Sequence, residues 1–150
     1  MTAPPQTLEV RITREFDAPI DEVFRAWTVP AELAAWYGPA QYDTPEERIR
    51  IDLRVGGRYD LTMVRRDTGD ESPAGYEILE LESPSLLVLR SDPMPEYGMP
   101  EPVITRVELH DLGDGRTRME LIDGLYPEGF GHAEMGWNSS FDRLAARLEA

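Results

Sequence analysis

The sequence contains no cysteine. That excludes a disulfide framework, a thiolate metal centre and a cysteine nucleophile. Lysine is also absent, so all 15 basic residues are arginine. Arginine codons are GC-rich and lysine codons AT-rich, which points to a GC-rich bacterial genome. Positive charge is scarce: 29 acidic residues against 15 basic ones leave a formal net charge of −14. Nucleic acids and anionic membranes both demand clustered cations. Neither is expected as a partner. Residues 1–10 carry no basic or apolar segment of the kind that opens a secretory leader. No apolar run approaches the roughly 18 residues of a membrane span. A cytoplasmic protein is the expectation.

What is present is enough for one domain. A chain of 150 residues buries about 70% of the surface that its unfolded form exposes. Residues 1–7, with Pro4 and Pro5, read as a flexible tail, and residues 8–150 as a single domain. From residue 8 to 16 the pattern alternates, with Val10 and Ile12 on one side and Glu9, Arg11 and Thr13 on the other. This is the signature of a half-buried strand. Pro19 is suited to open a helix, and Asp21 and Glu22 suit its first turn. Val29-Pro30 interrupts that helix, a second short one is expected over 31–36, and Gly38-Pro39 ends it.

Six further strands are expected. Residues 48–53 alternate with Ile49, Ile51 and Leu53 inward, and Gly56-Gly57 turns the chain into Tyr59, Leu61 and Met63. Residues 65–72 read as a loop, followed by strands over 75–81 and 86–90. Residues 92–102 form a long proline-rich connection carrying Met94, Tyr97 and Met99. Long loops often serve as lids, and methionine packs adaptably against varied ligands. Val103, Thr105, Val107 and Leu109 then face inward, the Gly113-Asp114-Gly115 turn follows, and Thr117, Met119 and Leu121 pair back. Last, Trp137, Phe141, Leu144 and Leu148 form one helical stripe. The fold class is α+β, with an antiparallel sheet and a long C-terminal helix.

Few residues suggest catalysis. Gly56-Gly57 lacks the spacing of a phosphate loop, and no nucleophile-elbow motif is present. His110 falls on the outward parity of its strand, and His132 lies about 140° from Trp137 on a helical wheel. Neither has a metal-ligand partner at suitable spacing. No cofactor and no metal site are implied.

Four segments carry a resemblance. They are residues 14–24 (REFDAPIDEVF) leading to Trp27, residues 33–39 (LAAWYGP), residues 52–59 (DLRVGGRY), and Gly136-Trp137 followed by Phe141, Leu144 and Leu148. In this order they resemble the START-like superfamily, also known as SRPBCC or helix-grip proteins. Within it, the chain is similar to bacterial single-domain relatives of the C-terminal domain of the activator of the 90-kDa heat-shock-protein ATPase. The resemblance implies a curved antiparallel sheet of six or seven strands wrapped around the long helix, with two short helices after the first strand. A fold hosts many functions, so it sets an architecture rather than an activity.

On such a fold Trp36, Tyr37, Tyr59, Tyr76, Phe130, Trp137 and Phe141 point toward the space under the long helix. Leu61 and Met63 share the inward parity of Tyr59. Met94 and Tyr97 stand on the lid-like loop, and Tyr59, Tyr76 and Ser140 offer hydroxyls. Aromatic and apolar walls with a few polar groups suit a small-molecule pocket. The leading expectation is therefore binding of a small hydrophobic or aromatic molecule. The alternatives are an enzyme of cyclase or hydrolase type using the same cavity, and a chaperone-ATPase-activator-like interaction domain. A homodimer is compatible with the sequence, but no residue marks its interface.

Overall fold

The computed structural model describes residues 8–97, 99–126 and 133–149, the side chains of Leu8 and Tyr97 excepted. The tail expected over 1–7, Phe130 and His132 lie outside the described residues. Strand β1 (Leu8–Phe16) leads into helices α1 (Ile20–Thr28) and α2 (Pro30–Trp36). The two-residue strands β2 (Tyr42–Asp43) and β3 (Arg50–Ile51) follow. The long strands are β4 (Arg58–Arg65), β5 (Glu71–Glu82), β6 (Leu86–Ser91), β7 (Ile104–Gly113) and β8 (Arg116–Tyr126). Helix α3 (Ala133–Leu148) closes the chain.

The strands form one antiparallel sheet in the order β1-β8-β7-β6-β5-β4-β2, with β3 also paired to β4. The meander from β4 to β8 follows the chain, and β1 joins it by pairing with β8, placing Ile12 opposite Leu121. Alternation sets the faces. Thr105, Val107 and Leu109 are buried on β7, as are Thr117, Met119 and Leu121 on β8. Helix α3 packs on α2 and β1. Its Phe141 and Leu144 are fully buried in the core, together with Trp27 and Trp36 from the short helices. As an α-helix of 16 residues, it runs about 24 Å at the usual rise per residue.

Two sequence expectations need correction. Residues 48–53 do not form one strand: only Arg50–Ile51 pairs with β4, and Leu53 is 43% exposed. The chain leaves the sheet at Asp52 because a tight turn begins there. Arg54 N donates to Asp52 O at 2.9 Å and Gly57 N to Arg54 O at 2.8 Å. Gly57 has to be glycine, since a Cβ would lie 2.1 Å from Asp52 O. The loop expected over 65–72 is also shorter, because β4 and β5 extend into it and pair as far as Val64 opposite Glu71.

Candidate functional site

The site begins with the loop that follows α2. Gly38 has φ +100, a left-handed conformation open to glycine and strained for other residues. A Cβ there would approach Met63 Sδ to 3.1 Å. Helix α3 holds this loop from the other side. Gly38 N donates to Ser140 Oγ and Ala40 N to Ser139 Oγ, both at 3.1 Å. Arg143 Nη1 donates to the carbonyls of Gly38, Tyr42 and Pro39 at 2.9, 3.1 and 3.2 Å. Burial lowers the Arg143 pKa, with Arg66 adding to the effect.

Between this clamped loop, the first half of α3 and the sheet, packing leaves an open cleft of about 270 Å³. Tyr37, Tyr76, Tyr126 and Trp137 supply aromatic walls, and Met63 and Met99 add thioethers. The Tyr37 and Trp137 rings meet edge to face with centroids 5.7 Å apart. Trp137 also stacks on Phe141 at 5.5 Å, which joins the cleft wall to the closed core.

Beneath the wall lies Asp123, with no exposed surface. Its Oδ1 accepts from Thr105 Oγ1 at 2.7 Å, and its Oδ2 accepts from Trp137 Nε1 at 2.6 Å and from the Tyr126 hydroxyl. Burial pushes its pKa above the usual carboxylate value, while the three hydrogen bonds pull it down. The phenols move the same way. Burial holds Tyr37 well above its ordinary range and pushes Tyr76 up to about 12, with Asp123 adding to the shift. Burial and the Asp123 carboxylate together raise Tyr126. These hydroxyls therefore stay protonated at neutral pH. Ser140 Oγ is committed too, because it accepts from Gly38 N and donates to Gly136 O at 3.0 Å. The cleft offers aromatic faces, soft sulfur and neutral hydroxyls.

Of the residues expected under the long helix, Tyr37, Met63, Tyr76, Trp137 and Ser140 meet at the cleft. Trp36, Tyr59, Leu61 and Phe141 sit in closed core, each at most 2% exposed. The Tyr59 hydroxyl donates to Trp27 O at 2.5 Å and Trp36 Nε1 to Ala26 O at 2.9 Å, so both polar ends are tied to α1. Met94 bridges to Met99, and it is Met99 that reaches the cleft. Tyr97 falls in the turn Pro95–Tyr97, and its side chain lies outside the described part. His110 is on the solvent side, 2.9 Å from Glu120.

Sequence reasoning passed over Asp123 and Tyr126. A signal was available for the first. Thr117, Met119 and Leu121 share the buried parity of β8, and the next residue on that face is Asp123. An acid on the apolar face of a strand needs partners there.

The family model described as "Activator of Hsp90 ATPase homolog 1-like protein" matches residues 17–149. The chain belongs to that family. Its fold recurs in solved bacterial structures. Protein CV1439 from Chromobacterium violaceum is 26% identical with a TM-score of 0.86, over 95% of this chain and 97% of that one. Protein NE0264 from Nitrosomonas europaea is 26% identical with a TM-score of 0.78, over 95% and 94%. The AHSA1 protein SPO3351 from Silicibacter pomeroyi shares the fold at 20% identity and a TM-score of 0.73, over 95% and 98%. No curated protein matches the sequence. Among the described residues, no helix is long and apolar enough to cross a membrane.

Proposed function

We propose that this family member binds a small apolar or aromatic molecule in the cleft between α3 and the sheet. The observation that carries the proposal is the open space itself. A cleft of about 270 Å³ lies among aromatic walls, beside the fully buried Trp36, Phe141 and Leu144. Binding pockets begin at about 300 Å³, so the occupant is small, on the scale of one substituted ring. The clamp from Ser139, Ser140 and Arg143 holds one wall in place before any ligand arrives. A preformed site loses less to ordering on binding. The net charge of −14 speaks against nucleic acid and anionic membrane as partners, and the setting proposed is the cytoplasm.

The test is a fluorescence titration. Trp137 lines the cleft, so a substituted phenol or similar aromatic should quench tryptophan emission in a saturable way. Replacing Met63 by Trp, which fills the cleft, should abolish that saturation. Binding that persists unchanged in Met63→Trp refutes this location.

A further inference from the structure

Asp123 is unusual in one respect. It is a fully buried carboxylate with three hydrogen-bond donors but no cationic partner among the described residues. Buried charges are ordinarily paired or bound to metal. Here the donors are a hydroxyl, a phenol and an indole. They satisfy the oxygens without neutralising the charge. Two of those donors, Tyr126 and Trp137, are also cleft walls. Trp137 borders the space while its N–H donates to the carboxylate, 2.6 Å from Oδ2.

This has an electrostatic consequence. The face of an aromatic ring is its negative side, and a cation above it is attracted. An N–H or O–H donated to a carboxylate pushes electron density into the ring, which strengthens that face. Four rings border the cleft, and no described lining residue is basic. The carboxylate lies one side chain behind the wall, where its field is screened less than in bulk water. Burial raises the Tyr76 pKa, and the nearby Asp123 carboxylate acts in the same direction. An anionic ligand would meet the same field as repulsion.

We infer that the cleft is an aromatic cage for a small organic cation, such as an alkylated ammonium carried on a ring or short chain, with Asp123 as its indirect counter-charge. The inference rests on the cleft being a ligand site. It adds the sign of the ligand's charge. The missing partner of Asp123 is then supplied by the ligand, and the protein's net charge of −14 concentrates cations around it.

The test uses two molecules of one shape. 4-Hydroxyphenyltrimethylammonium and 4-tert-butylphenol differ in a quaternary nitrogen against a quaternary carbon. Their dissociation constants are measured calorimetrically on the full chain at pH 7.5 in 0.3 M salt, which suppresses surface accumulation of cations. The ammonium is expected to bind about tenfold more tightly, the order set by a desolvated cation–aromatic contact. In Asp123→Asn that ratio should fall toward one. Trp137→Phe keeps a ring and removes the N–H donor, so it should lower the ratio as well and serves if Asp123→Asn does not fold. Equal or tighter binding of 4-tert-butylphenol overturns the cation inference and leaves the cleft standing as a binding site. A ratio that survives both variants removes Asp123 from the role. Failure of both molecules to bind at millimolar concentration overturns the site and the inference together.

Discussion

The two halves of α3 face the same sheet and do different things with it. In the second half, Phe141 and Leu144 are fully buried against Leu33, Trp36 and the sheet. In the first half, Gly136 and Trp137 stay partly open above a cleft whose floor hides a charge. The closed half gains from apolar burial, at roughly 25 cal/mol per Å² removed from water. The open half gives up some of that gain. Gly136 lowers helix propensity by about 0.5–1 kcal/mol relative to Ala, and Asp123 adds the desolvation of a carboxylate. This contrast in packing along one helix is what supports the proposed site at its first half. The clamp on residues 38–42 explains why the open half does not collapse. Its wall is held by hydrogen bonds to α3 rather than by contact across the gap.

The contrast can be broken by substitution. The largest effect is expected at Phe141. Phe141→Ala should destabilise the fold by about 3–5 kcal/mol in urea denaturation, the usual loss for a buried aromatic. Met63→Ala, at the cleft, should lose less than half of that because its side chain already borders space. Equal losses at the two positions would mean that the cleft is not a distinct region.

Next comes Asp123. Asp123→Ala leaves the Trp137 N–H and two hydroxyls without their acceptor, and a stability loss of about 3 kcal/mol is expected, at the upper end for stranded buried donors. Trp137→Phe keeps the carboxylate and removes one charge-assisted bond, for about 1.5–2 kcal/mol. A neutral result for both would show that the buried network does not support the open half.

Gly136→Ala should have a smaller effect of opposite sign. Among the described residues the added Cβ meets only Pro39 Cγ, at 3.8 Å, so the helix gains about 0.5–1 kcal/mol. The same methyl group intrudes on the cleft edge, and affinity for 4-tert-butylphenol should fall while the melting temperature rises. A rise in both would remove Gly136 from the site.

The mildest prediction concerns pH. The folded-state pKa of Asp123 is raised above its unfolded value, chiefly by burial. Between those two values the native state holds a proton that the unfolded chain has released. This contribution is fully present below the unfolded pKa and is lost as pH rises through the folded one. Stability relative to Asp123→Asn should therefore fall with rising pH across that window, as read from melting temperatures. A constant difference would place the pKa at its ordinary value.

Most of the fold was legible because its signals are local. The alternation in β1, β7 and β8 fixed which residues face inward, and the stripe from Trp137 to Leu148 fixed a helix with one apolar face. Boundaries were less legible where turns cut into the pattern. Ile49, Ile51 and Leu53 alternate like a strand, yet the Asp52 turn takes Leu53 to the surface. The cleft was legible only in part. Alternation shows that Tyr59, Leu61 and Met63 point inward, but not that Tyr59 and Leu61 reach closed core while Met63 reaches open space.

The sequence by itself therefore determined the class of fold and most of the inward-facing residues, since period and turn chemistry act over a few residues, while the family came from the resemblance of four segments. Tertiary structure alone decided where packing stops short. That depends on the fit of α3 across residues about 100 positions away, as in the Arg143 and Ser140 bonds to Gly38, |i−j| 105 and 102. It also decided that Asp123 shares its oxygens with Thr105, Tyr126 and Trp137. No local pattern encodes that meeting, because it forms only when β7, β8 and α3 come together.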